Sequence, residues 1–166
     1  ITTLYGTKTK PKLGIKPSFV PLKKETGLSS ESEPIHILGI ITDEVTMPKN
    51  DGTRGSALYK IPFRLSKRPS DLWCKLFVIA WNMPPSFTTM HRPGIASVYG
   101  DKIVLNGTTI EEVHDYHRET LVLCVDEANR KEMDILEEEQ RRKEREENRK
   151  NEHYTNLNSI ASKIKF

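Results

Sequence analysis

A chain of 166 residues that is only 36% hydrophobic and 30% charged has room for one domain and its extensions, not for two domains. No run approaches the roughly 18–20 apolar residues of a membrane span, and no secretory signal is visible. The net charge of +3 conceals a division. Residues 1–34 carry six lysines against three acids, and residues 35–107 nine basic against five acidic side chains. Residues 108–153 carry nine basic against fifteen acidic, and residues 154–166 add two lysines. Arm and body are basic, and the segment that follows them is acidic.

The chain opens on Ile1, as a fragment or a processed form would. Residues 1–34 read as an extended arm. Pro11, Pro17, Pro21 and Pro34 oppose helix and central strand. Lysines alternate there with Leu13, Ile15, Phe19, Val20 and Leu22. A tail of this composition can stay unfolded, but its apolar content predicts docking in extended form, with Phe19 as an anchor. Ser29-Ser30-Glu31-Ser32-Glu33 reads as a solvated hinge.

The apolar residues of the body fall between 35 and 136, about 100 residues, enough for one core. Ile35 to Ile41 is a β-branched run, followed by turn residues from Pro48 to Gly52. Ala57, Tyr59, Ile61, Phe63 and Leu65 then alternate with Lys60 and Arg64, predicting a second strand with one buried face. The two runs are expected to pair as a long hairpin, with Pro62 marking an edge or a bulge. Ser70 is placed to cap a helix running to about Asn82. On that helix Trp73, Phe77 and Trp81 recur every fourth residue. An aromatic stripe at this spacing predicts core rather than a stacking platform. Pro84-Pro85 ends the helix, and a loop from Ser86 to Gly94 mixes apolar and basic residues. Gly100-Asp101 between Ala96–Tyr99 and Lys102–Leu105 is a two-residue hairpin signal.

Gly107-Thr108-Thr109-Ile110-Glu111-Glu112 opens a second helix. A threonine followed three residues later by a glutamate makes a capping box, and Thr108 with Glu111 or Thr109 with Glu112 both fit. Ile110, Val113, His117, Leu121, Cys124, Val125 and Ala128 recur at helical spacing and predict one buried face. After Ile135 and Leu136 there is no aliphatic side chain until past His153. Acids instead precede bases by four: Asp126/Arg130, Glu127/Lys131, Glu137/Arg141, Glu138/Arg142, Glu139/Lys143 and Glu146/Lys150. That orientation supports a solvated helix without a core. The charge density argues against a coiled-coil seam there. Apolar residues then return at Tyr154, Leu157, Ile160, Ala161 and Ile164, with Phe166 at the end. A sticky tip at helical spacing needs a surface to fold on. That surface is either a partner or a second copy of this chain, or else the body itself if the chain turns near Asn151.

The element order ββαββα predicts an α+β two-layer sandwich: a four-stranded antiparallel sheet, two helices on one face, and the second helix extended as a charged single helix. The organisation is an arm at 1–34, a core domain at 35–136, a charged helical extension at 137–153 and an amphipathic tip at 154–166.

Motifs for chemistry are weak. Glu111, His114 and His117 have helical metal-ligand spacing, but His117 lies on the apolar face and no second ligand cluster accompanies them, so no metal and no cofactor is expected. Asn106-Gly107-Thr108 matches a glycosylation sequon that coincides with a turn and a helix cap, and it is discounted. No Ser-His-Asp or Cys-His set and no glycine-rich phosphate loop can be assembled. Cys74 and Cys124 both fall on apolar helix faces, which predicts buried free thiols in a reducing, cytoplasmic setting. The candidate binding residues are Lys67 and Arg68 before the first helix, whose N-terminus attracts anions, His91 and Arg92 after it, Phe19 in the arm, and Leu157, Ile160 and Ile164 in the tip. The first functional reading is a non-enzymatic adaptor or accessory subunit that binds other protein subunits, or its own copies, through arm and helix. The second is a nucleic-acid-associated protein using basic loops on phosphates, although no recognised binding motif is present. The third is an enzyme whose site is assembled by the fold.

Overall fold

The computed structural model describes residues 33–165. Phe166 and all of the expected arm before Glu33, Phe19 included, lie outside the described residues. The body is the expected α+β sandwich. Strands β1 (Ile37–Ile40), β2 (Tyr59–Leu65), β3 (Ala96–Tyr99) and β4 (Lys102–Thr108) form one antiparallel sheet in the order β1-β2-β4-β3. Helix α1 (Asp71–Asn82) and the long helix α3 (Arg118–Ala161) pack together, and their buried faces share one core with the sheet. A single turn, α2 (Ile110–Glu112), and a π-helical turn (Val113–His117) lead into α3 without a break.

The buried positions follow the two periodicities. Ile61, Phe63 and Leu65 of β2 and Ile103 and Leu105 of β4 point into the core. Trp73, Phe77, Ala80 and Trp81 meet them from α1, and Leu121, Cys124, Val125 and Ala128 from α3. Ser70 caps α1, accepting the Trp73 amide at 3.0 Å. Trp73 and Phe77 stack with ring centroids 5.4 Å apart, inside the core. Cys124 is fully buried, and burial, aided by the Glu127 charge, pushes its thiol up to about 12. Cys74 is only half-buried.

Two strand expectations are corrected. β2 is an interior strand, so Pro62 does not mark an edge. Its carbonyl accepts from the Ile41 amide at 2.9 Å, which puts its missing N–H on the β1 side. Strand β1 ends at Ile40, one residue before this bond, so the missing donor falls at the margin of the ladder and not inside it. The hairpin is also shorter than the β-branched run suggests, because the register slips between Ile37 and Gly39 and leaves Leu38 65% exposed.

One side chain ties the layers together. The Asn129 carbonyl oxygen on α3 accepts from Trp73 Nε1 at 2.8 Å and from the Ile35 amide at 3.1 Å. Its amide nitrogen donates to the Ile35 carbonyl at 2.9 Å. The Ser70 hydroxyl also donates to Glu132. Together these fix the first residues of the body and the start of α1 against the point where α3 leaves the core.

Beyond Glu132 every described residue is exposed. α3 has 44 residues, about 66 Å at 1.5 Å per residue. The expected ion pairs Glu127–Lys131, Glu137–Arg141 and Glu146–Lys150 form. Arg130 chooses Glu127 and Asp134, and Glu138 reaches Arg145 a further turn along. The helix runs unbroken through Asn151 to Ala161, so the chain does not turn back there.

Candidate interaction surfaces

Loop 83–95 brings His91 and Arg92 to the C-terminal end of α1. Trp81 Nε1 donates to the Arg92 carbonyl at 3.0 Å, and His91 Nε2 donates to the Trp81 carbonyl at 2.8 Å. Lys67 and Arg68 precede the opposite end of that helix, whose 12 residues span about 18 Å. The four sequence candidates are therefore not drawn into one basic site.

Arg92 is instead spent within the fold. Its guanidinium grips the Glu112 carboxylate through both nitrogens, at 2.7 and 2.6 Å, and donates to the Gly107 carbonyl at 2.7 Å. The Thr108 hydroxyl donates to the same carboxylate at 2.9 Å. Burial pushes the Glu112 carboxyl up, but the Arg92 and Thr108 hydrogen bonds outweigh it and hold the group below the usual carboxylate range. Of the two capping registers, Thr109 with Glu112 is used: the Thr109 hydroxyl accepts the Glu112 amide. Only that half of the capping box forms: the Glu112 carboxylate, expected to reach back to the cap, is taken up by Arg92 and Thr108 instead.

Behind this pair lies His117, on the π-helical turn and fully buried. The Arg118 amide bonds back five residues to Val113. This wider turn lets Val113 and His117 both face the core. The His117 ring stands edge-on to Trp81 with centroids 5.7 Å apart, and Trp81 also meets His91 at 4.7 Å. Neither ring nitrogen of His117 has a protein partner. Burial first, then the Arg92 and His91 charges, depress its pKa against the opposing pull of Glu112. His117 is therefore neutral in the fold. As pH falls below about 6.5 the unfolded chain takes up a proton that the folded chain refuses. The stability this residue permits is complete above that value and is lost as pH drops toward the depressed one. The loss in denaturant midpoint between about pH 7 and pH 5 should be smaller in His117→Leu than in the parent. An unchanged loss would remove His117 from the acid response.

Among the described residues no three His, Cys, Asp or Glu side chains converge as metal ligands. Glu111 and His114 are exposed, on a different face from buried His117. No helix of the described residues is long and apolar enough to cross a membrane.

Among the described residues, two of the exposed apolar surfaces lie along β1 and α3. One, which the sequence did not signal, is an open groove beside β1 lined by Leu38, Ile40, Ile110 and Val122. It arises from the β1 bulge and from Ile110 standing outside the core, 37% exposed. The other is the tip. Tyr154, Leu157, Ile160 and Ile164 are 47–63% exposed and touch nothing in the body. Comparison with protein-family models, with curated proteins and with solved structures gave no match.

Proposed function

We propose that this chain is a non-enzymatic adaptor or accessory subunit that works by holding a protein partner at the end of α3. The observation that carries this reading is the exposed apolar tip at the end of a solvated helix. From Ala128, the last buried residue, to Ala161 the helix runs about 50 Å. An apolar face of this kind is retained in water only at a cost in solubility, and it fits protein contact. The body contributes a rigid root, and the charged stretch keeps the spacer from collapsing onto the core.

Removing residues 154–166 should leave the melting temperature of the dilute chain within about 1–2 °C of the parent, because every described residue of that segment is exposed. The same deletion should abolish tip-dependent association, read by sedimentation and by quantitative co-purification at two salt levels with nuclease added. A deletion that strongly destabilises the body while association persists would defeat the reading. Retention that disappears with nuclease or salt would favour phosphate binding instead.

A further inference from the structure

Tyr154, Leu157 and Ala161 of α3, and Ile164 in the turn just past its end, are spaced three, four, three, which is the a/d rhythm of a coiled-coil seam. Carried back by sevens, the same line passes Lys150 and Glu147, then Lys143 and Gln140, and reaches Leu136 and Met133. Met133 and Leu136 are 57% and 49% exposed. The seam is thus apolar at both ends and polar in the middle. One heptad earlier the line meets Asn129, which is occupied by Trp73 and Ile35. The start of α1, tied to Glu132 through Ser70, closes that face of α3. The free seam therefore begins at Met133.

Resting on the reading of α3 as an interaction surface, we infer that its occupant is a second copy of this chain, paired antiparallel over residues 133–164. One register satisfies every constraint above. It sets Met133 against Ile164 of the second copy, Leu136 against Ala161, Gln140 against Leu157 and Lys143 against Tyr154. At the two-fold axis it sets Glu147 against Lys150, twice. The apolar tip of each copy covers the apolar root of the other and stops where α1 begins. Flanking positions bring Glu144 to Asn151 and Glu146 to His153, with no like charges opposed. Among the described residues Glu147 has no ion-pair partner within its own chain, while Lys150 pairs with Glu146 and has two further N–H donors to offer across the axis. A parallel pair would oppose Lys143, Glu147 and Lys150 to themselves and bring both α1 helices onto the same end of the seam. The polar middle that argued against a coiled coil thus becomes what selects orientation and register.

The test is sedimentation equilibrium of the full chain with Glu147→Lys and with the double variant Glu147→Lys, Lys150→Glu. The single change opposes two lysines at the axis and should weaken self-association about ten-fold or more, and the double change should restore it to within about three-fold. A parallel pair would respond to neither in that pattern. In a Cys74→Ser background, a mixture of Met133→Cys and Ile164→Cys chains should cross-link to each other on oxidation. Met133→Cys alone should not, because the two copies of that residue would lie about 45 Å apart. A chain that stays monomeric at all concentrations overturns the inference. Unrescued charge reversal, or self-cross-linking at residue 133, does the same. If the chain is monomeric but another protein still binds in a tip-dependent way, the adaptor reading stands and only the second copy is withdrawn.

Discussion

Replacing Asn129 by alanine should lower the unfolding free energy by about 2–4 kcal/mol, read from chemical denaturation of the purified chain. Three hydrogen bonds converge on that one amide. Alanine would leave the Trp73 indole N–H, which sits in a fully buried side chain, without a partner. It would also free the Ile35 amide and carbonyl at the entrance to β1. An orphaned buried donor costs about 1–3 kcal/mol, more than the net worth of the bond it made. Asn129→Asp separates the contributions, because a carboxylate still accepts from Trp73 and Ile35 but cannot donate to the Ile35 carbonyl. It should cost less than alanine at neutral pH. Equal losses for the two variants would show that the retained acceptor contributes nothing and that the bond to the Ile35 carbonyl carries the joint.

Arg92→Met should cost about 2–3 kcal/mol, again by denaturation. The change leaves the Glu112 carboxylate, 17% exposed, facing Thr108 with no countercharge. It also releases the Gly107 carbonyl and with it the attachment of the 83–95 loop. The figure sits below the loss of about 3–5 kcal/mol for a fully buried pair because the Arg92 side chain is 32% exposed and water can partly replace it. Adding Glu112→Gln to Arg92→Met should recover a large part of the loss, since the neutral amide needs no guanidinium. A double variant as unstable as the sum of its parts would mean the two side chains act independently.

What could be read from the sequence was what is local. The fourfold spacing of Trp73, Phe77 and Trp81 and the alternation of Ile61, Phe63 and Leu65 report burial, because each residue's face follows from its neighbours. The Ser70 cap and the Gly100-Asp101 turn are equally local. Partnerships across the fold were not legible. Asn129 sits between charged and apolar neighbours on a helix, and nothing adjacent says that its amide spans α1 and the start of the body. Arg92 looked like a free cation because Glu112 lies twenty residues away. Pro62 seemed to forbid an interior strand, and only the early end of β1 makes it harmless. The π-helical turn has no signature beyond one histidine out of phase with solvent. The tip was visible as a pattern, and its exposure became known once the helix was seen to continue past Asn151.

The rigid root of α3 has a mechanical consequence. A continuous helix that projects about 50 Å from its last buried residue is a lever: a tilt of about 10° at the root sweeps the far end through roughly 9 Å. The angle is set by the Asn129 clamp, the Ser70–Glu132 contact and the widened turn at 113–117. Sub-ångström adjustments among those few groups are thus multiplied into displacements larger than a side chain, and the body aims the distant end without touching it.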